Sequence, residues 1–278
     1  MAERLRQRLA QVPLYLLLAL VVVAMGLPLF WVATGALKTN QEIYTFPPVW
    51  IPREPRWENF VEAWHAAPFG RFYLNSIVTT LAGSGLELLF ALTTAYAIVF
   101  LRVRAAVAVF LLILAALLVP SQVTLLPNYL TVARLGWINT YQGIVLPGAS
   151  IAFGTFLFRQ HFRTLSREIL DAAVIDGCGH LRLLWQVIVP LSQPVIVTFT
   201  LISLVNKWNE FLWPLLVTNS LDMRTLPVGI AYLYSVEGVM NWGPILAGTL
   251  FVILPMLVVY LFAQRWIVSG IASGAVKG

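Results

Sequence analysis

The chain has 278 residues, of which only 11% are charged and 59% are apolar, and its mean hydropathy is +0.82. A soluble domain carries about 25% charged residues, so water is excluded as the solvent for most of this surface and lipid takes its place. The net charge of +6 and pI near 9.7 do not signal nucleic acid, because the basic residues sit in short segments beside apolar runs and form no aromatic-interleaved reading surface.

Residues 9–37, 105–133, 135–158 and 238–264 contain no Asp, Glu, Lys or Arg. Each run exceeds the roughly 20 residues that a spanning helix needs. Two further apolar segments carry isolated charges: 72–99 holds Glu87, and 192–217 holds Lys207 and Glu210. The pattern predicts an all-α membrane protein with six transmembrane helices, at about 13–35, 72–99, 106–128, 140–159, 192–217 and 244–266. No internal repeat or composition break divides it, so residues 1–278 are expected to form one domain.

Arg4, Arg6 and Arg8 precede the first span and resemble the start of a signal peptide. The apolar stretch behind them is longer than the roughly 7–15 residues of a cleaved signal, which favours an uncleaved span. The loop 36–71 holds Pro47, Pro48, Pro52, Pro55 and Pro68 with Trp50, Trp57 and Trp64, and is expected to fold over the outer helix ends. The second span places Ser76, Thr80, Ser84, Glu87 and Thr94 on one stripe. Such a stripe either lines a solute pathway or packs helices; Glu87 is its best functional candidate. Pro120 through Pro127, Asn128 and Tyr129 predict a bend at the exit of the third span.

Orientation follows from Lys and Arg. With the N-terminus inside, eleven of the eighteen basic residues fall in inner segments: Arg4, Arg6, Arg8, Arg102, Arg104, Arg159, Arg163, Arg167, Arg182, Arg265 and Lys277. The positive-inside rule then places both the N- and C-termini in the cytoplasm. Trp31, Trp213 and Trp242 near outer ends, with Trp185 and Trp266 near inner ones, suit the interface.

The inner loop 160–191 is the most charged part of the chain's centre. Residues 167–176 read as a short amphipathic helix, with Ser166 as N-cap and Glu168 in the first turn, where the helix dipole favours an acid. Ile169, Ala172, Ala173 and Asp176 recur at helical spacing and give a small-residue face. Gly177 and Gly179 end this helix, and a second one is expected at about 180–188. On the residues alone the loop is either a docking elbow or a solvated turn.

In the fifth span Lys207 and Glu210 stand three apart and are able to pair. Asn206, Asn209, Glu210 and Trp213 share a face at about 100° per residue, as a continuous helix would present them. A charge at mid-bilayer costs roughly 2.5–3.5 kcal/mol by insertion scales, so this face should meet protein or water. The functional reading is a wall of a solute pathway; the structural alternative is interhelical packing, with Lys207 snorkelling. Cys178 is the sole cysteine, and His65, His161 and His180 lie far apart, so no metal or cofactor site is expected. No GxxxxGK[ST] motif and no convincing catalytic constellation occur, so no catalytic residue is assigned.

The segment Asp171-Ala172-Ala173-Val174-Ile175-Asp176-Gly177, followed by Val187, Pro190 and Pro194, resembles the Glu-Ala-Ala-x-x-x-Gly coupling loop of ABC importer permeases. Phe72–Ser76, Trp208–Pro214, Gln264-Arg265 and Gly274–Gly278 resemble further motifs of the same family in the same order. The overall likeness is to the carbohydrate-uptake branch, of the maltose-importer type. Phe156 to Gln160, with Phe162, Thr164 and Leu165, is similar to its glycerol-3-phosphate members. The resemblance implies the six-helix ABC importer permease fold in a bacterial cytoplasmic (inner) membrane. It implies a second permease subunit, two separate ATPase subunits and an extracytoplasmic solute-binding protein.

On that resemblance Glu168, Asp171, Ala172, Ala173, Asp176 and Gly177 couple to the ATPase through the loop 167–188, and the solute is a sugar or is like glycerol 3-phosphate. Glu87, Asn206, Lys207, Asn209, Glu210 and Trp213 are the candidate pathway residues. Two positions depart from the family pattern: Asp171 stands where Glu is usual, and Cys178-Gly179 where Ala-Ser is usual. The main competitor is a self-contained secondary transporter, which often shows paired repeats that this sequence lacks. A membrane enzyme built on Glu87, Lys207 and Glu210 lacks a nucleophile or metal cluster, and a purely structural subunit would tolerate loss of the polar stripe.

Overall fold

The computed structural model describes residues 2–101, 103–233 and 241–275, with the backbone alone at 2–10, 232 and 265–275. Arg102, Glu237 and the tail residues Val276, Lys277 and Gly278 lie outside the described residues. All the regular structure among the described residues is helical. The chain opens with α1 (Ala2–Gly35), α2 (Asn40–Tyr44), α3 (Glu58–Ala66), α4 (Phe69–Phe100), α5 (Ala106–Leu117) and α6 (Ser121–Arg134). There follow α7 (Tyr141–Val145), α8 (Ala152–Phe162), α9 (Arg167–Ile175), α10 (His180–Arg182), a π-helical turn (Leu183–Ile188) and α11 (Val189–Leu191). The last elements are α12 (Gln193–Trp208), α13 (Leu212–Val217), α14 (Leu226–Leu233) and α15 (Trp242–Ala275).

Three segments cross a bilayer unaided by length and composition: Gln11–Gly35, Phe69–Phe100 and Trp242–Gln264. They correspond to the first, second and sixth predicted spans. The other three predicted spans are interrupted, and the interruptions have local causes. α5 and α6 meet at a 98° bend. Pro120 stands at the N-cap of α6 with ψ 131°, and a proline there pushes the residue before it out of the helical region. The expected bend is therefore real but falls at Pro120, while Pro127 is accommodated within α6. The fourth predicted span is split into α7 and α8 around Pro147 and Gly148.

The fifth span, expected at 192–217, is corrected more deeply. α12 stops at Trp208 and the chain re-enters a helix only at Leu212. Pro214 has no N–H for the carbonyl of Glu210 and its ring would collide with that carbonyl, so a continuous helix is blocked there. Asn206, Asn209, Glu210 and Trp213 consequently do not share a single helix face. At the other end, His180–Leu191 and Gln193–Trp208 meet at 84°, where Pro194 imposes the same restriction on the backbone of Pro190.

The described residues group into two compact units. One comprises residues 1–68 and 230–254. Its core is Ala36, Ala63 and Ala247, packed against Phe60, Leu246, Leu250 and Phe251. The segment after α1 is pinned by Asn59, whose amide donates to the Ala36 and Lys38 carbonyls at 2.9 and 3.0 Å. The α1 side chains from Val12 to Phe30 are widely exposed in the chain alone, as a lipid-facing span requires.

The other unit comprises residues 69–229 and 255–278. Here α4 packs along α8 and α12, and α5 along α8. The core joins Ala91, Leu92, Ala95 and Tyr96 of α4 to Phe158 and Phe162 of α8 and Phe199 of α12. Gly154 permits close approach of α8 to α4 and α12: a Cβ there would stand 2.6 Å from the Cβ of Ala91 and 2.8 Å from the Phe199 ring. Any side chain at 154 would force α8 away from α4.

Candidate functional site

Two groups of predicted residues are placed by the second unit. The first is the loop 160–191. α9 forms over Arg167–Ile175 with Ser166 at its N-cap in extended conformation, although the Ser166 hydroxyl makes no capping hydrogen bond. At the other end Gly177 adopts φ +83°. Its N–H donates to the Val174 carbonyl at 3.0 Å and the Cys178 N–H to the Ala173 carbonyl at 3.0 Å. These two bonds define a Schellman motif, which turns the chain sharply and satisfies two carbonyls that the helix end would leave open. The left-handed conformation strains any residue with a β-carbon. Gly179, by contrast, has φ −73° at the N-cap of α10 and carries no such requirement.

α9 has two different sides. Leu170 is only 8% exposed and joins the core of Phe158, Phe162, Leu183, Leu184 and Ile188, with Ala173 packed against it. Tyr96 of α4 and His180 make a hydrogen bond of 2.9 Å between the phenol oxygen and Nδ1. On the other side Glu168, Asp171, Ala172, Asp176 and Gly177 are all exposed. Ile175 is 86% exposed and Leu181 is 76% exposed, which is unusual for side chains that water disfavours. The small face expected from spacing is thus divided: Ala173 turns toward the core, while Ala172 and Asp176 face away with Ile169 and Ile175. A groove of about 780 Å³ beside α9 is lined by Arg159, Arg163, Arg167, Leu170, Asp171 and His180, among others.

The second group is a polar cluster between α4, α12 and the segment joining α7 to α8. Lys207 Nζ lies 3.2 Å from Glu87 Oε1 and 3.9 Å from Glu210 Oε2, and it donates to the Gly148 carbonyl. Glu87 is held from a second and third direction: the Ser203 hydroxyl donates to its Oε2 at 2.5 Å, and the Ser150 N–H to its Oε1 at 3.2 Å. Ser203 also reaches the Ser84 hydroxyl at 3.0 Å. The Glu87 and Lys207 side chains are 10% and 15% exposed. At that depth each charge needs its partner, and the additional hydrogen bonds offset part of the desolvation cost. Lys207 thereby ties the end of α12, just before the helix breaks, to α4 and to Gly148.

Glu87, Lys207 and Glu210 are therefore brought together. Asn206 lies at the edge of a cavity of about 390 Å³ bounded also by Glu87, Ser150, Phe153, Phe199, Ile202 and Ser203. Asn209 and Trp213 stand apart from it. The exposed Asn209 amide donates back to the Val205 carbonyl at 2.8 Å, capping α12. Trp213 is buried with Val132, Ile144 and Val217, and its indole N–H is shared by the Gly143 and Ile144 carbonyls at 3.1 and 3.2 Å. The hydroxyl stripe on α4 is divided as well, since Ser76 accepts the Leu226 N–H at 2.7 Å while Ser84 and Glu87 belong to the cluster. Ser150, Ser203 and the Gly148 carbonyl were not singled out from sequence. Their only signal is a small polar residue or turn opposite a charge, and that becomes visible once the helices are paired.

The family model of the binding-protein-dependent transport system inner membrane component matches residues 11–272. The chain belongs to that family. Among its relatives is the sn-glycerol-3-phosphate transport system permease protein UgpE of Yersinia pestis, 33% identical over 92% of this chain and 94% of its own length. The arabinooligosaccharides transport system permease protein AraQ of Bacillus subtilis is 31% identical, with 90% of each chain covered. The fold is that of a solved bacterial ABC transporter involved in the import of the acidic polysaccharide alginate, with TM-score 0.81 at 22% identity, over 94% of this chain and 97% of the other. The chain is an inner-membrane permease subunit of an ABC importer.

Proposed function

We propose that this permease subunit takes up a sugar or a glycerol-3-phosphate-like solute by alternating access, crossing the membrane six times with both termini in the cytoplasm. It works as one domain beside a second permease subunit, with separate ATPase subunits beneath and an extracytoplasmic binding protein above; it hydrolyses no ATP itself. The loop 167–188 docks on the ATPase through Glu168, Asp171, Ala172, Asp176 and Gly177, while Ala173, packed against the core, backs that surface from within. Glu87, Asn206, Lys207 and Glu210 border the solute pathway, while Asn209 and Trp213 fix the break between α12 and α13 that shapes it.

The observation that carries this reading is the two-sidedness of α9. Leu170 fastens it to the core shared with α4 and α8, the Tyr96–His180 contact ties the following α10 to α4, and Ile169, Ala172 and Ile175 face outward. An element stiff toward its own spans and open toward a partner passes displacement between them. When ATP closes the ATPase pair, α9 moves with its groove and the spans follow.

The test is Gly177→Val against Gly179→Ala in the assembled importer. No atom lies within 4 Å of a Cβ at either position, so a β-carbon is uncrowded at both and the positions differ in backbone conformation. Valine at φ +83° carries about 1–3 kcal/mol of strain and is expected to unmake the Schellman turn. ATP-driven uptake should fall more than about tenfold in Gly177→Val, with the subunit still inserted and assembled, while Gly179→Ala transports normally. Undiminished coupled uptake by Gly177→Val would remove the loop from the coupling path.

A further inference from the structure

The cavity of about 390 Å³ bordered by Glu87, Ser150, Phe153, Phe199, Ile202, Ser203 and Asn206 is large enough for a small organic solute. Its chemistry is one-sided. Phe153 and Phe199 stand 6.2 Å apart with their rings inclined by 30°, and with Ile202 they offer an apolar wall. The exposed Asn206 amide makes no hydrogen bond among the described residues and so presents both donor and acceptor capacity. The one formal charge on the lining is the Glu87 carboxylate.

The cation that balances Glu87 does not reach this cavity. Lys207 borders a different and much smaller space, with Thr79, Gly83, Ile144, Val145, Glu210, Pro214 and Thr225. Its ammonium is already engaged by the Glu87 carboxylate at 3.2 Å and by the Gly148 carbonyl, with the Glu210 carboxylate 3.9 Å away as a looser ion pair. Glu87, Lys207 and Glu210 together sum to one negative charge. An apolar aromatic wall, an amide and a carboxylate acceptor match the C–H face and hydroxyl rim of an uncharged polyol. A phosphate monoester entering here would meet a carboxylate and no free cation, and at low dielectric like charges are costly.

Resting on the pathway assigned above, we propose that this chain's own share of it is a subsite for a neutral polyhydroxylated solute, a glycoside or polyol, that rejects phosphate esters. The test reads the cavity's charge directly. In a Cys178→Ser background, Ile202→Cys or, should that variant fail to assemble, Phe153→Cys is labelled in the assembled importer with a trimethylammonium or a sulfonate thiosulfonate reagent. Labelling is followed by the mass of this subunit, and rates are normalised to those on a small free thiol. The cationic reagent should react at least about tenfold faster. Glucose, maltose or raffinose should slow it, and glycerol 3-phosphate at equal concentration should not. Equal or faster labelling by the anionic reagent, protection by glycerol 3-phosphate alone, or protection by none of the neutral probes would overturn the subsite. Failure of both reagents at both positions would instead remove the cavity from the pathway, and with it the assignment on which the subsite rests.

Discussion

The loop around α9 and the cluster around Glu87 are both fastened to α4, but by opposite means. Leu170, Leu183, Leu184 and Ile188 hold the loop by apolar packing, with the Tyr96–His180 hydrogen bond as a polar tie. Lys207, Glu87 and Ser203 hold the cluster by charge and hydrogen bonds. Apolar packing is non-directional and loses little per degree of rotation, so a packed elbow stays attached while it rocks. An ion pair with fixed acceptors is directional and fails steeply when misaligned. The difference suits the two tasks: the loop moves with a partner, while the cluster fixes the register of α12 at the point where that helix is broken.

The sharpest way to break this comparison is to leave one charge of the cluster alone. Lys207→Met strands Glu87 at 10% exposure. Removing one member of a buried pair costs about 3–5 kcal/mol, so the melting temperature of the purified assembly should drop clearly. Adding Glu87→Gln to Lys207→Met should restore at least half of the loss, because the uncompensated charge is then gone. Purely additive losses in the double-mutant cycle would mean that the pair is not coupled and that α12 is held by packing after all.

Leu170→Ala tests the other side. Truncating a buried leucine costs about 2–5 kcal/mol, and a site at the edge of a core falls in the lower part of that range. The distinguishing readout is coupling: ATP hydrolysis by the assembled importer should persist while uptake per ATP falls, since α9 would still dock but slip against α4 and α8. A proportional fall in both activities would make Leu170 a stability residue only. This residue also shows what was legible in the sequence. Residues 167–177 form a local unit, since the Schellman bonds span five positions or fewer, so helix, glycine turn and exposed face followed from spacing. Leu170 was the missing inward anchor because the surface it meets comes from Phe158, Leu183 and Ile188, which periodicity cannot order in space.

The cluster was legible only as a list of costly charges. Lys207 and Glu210 are neighbours in sequence, but Glu87 meets Ser203 across 116 positions, and Lys207 meets the Gly148 carbonyl across 59. Nothing in a single sequence pairs such residues. The same limit applies to the fold: long apolar runs locate α1, α4 and α15 well, the second despite Glu87, whereas Pro120 and Glu210–Pro214 break helices inside segments that read as single spans. Pro214 is visible in the sequence, yet a face shared by Asn206, Asn209, Glu210 and Trp213 exists only in a continuous helix, and the proline opposite the Glu210 carbonyl removes that continuity.

Proton concentration separates the two regions with the smallest expected effect. His161 stands at the end of α8, and its ring is half-buried against the loop's exit. Burial pushes its pKa down from the ordinary imidazole value, and the hydrogen bond to the Leu191 backbone pulls partly the other way. The folded chain therefore prefers neutral imidazole. Its contribution to stability is fully present above the ordinary value of about 6.5 and is lost as pH falls from there through the depressed folded value. Between pH 7.5 and the acid side of that window, hydrogen exchange in α8 and in 180–191 should rise modestly, and His161→Gln should remove the dependence. If acidification loosens α12 near Lys207 as much as the loop, the two regions do not open separately, and the contrast between a moving elbow and a fixed register fails.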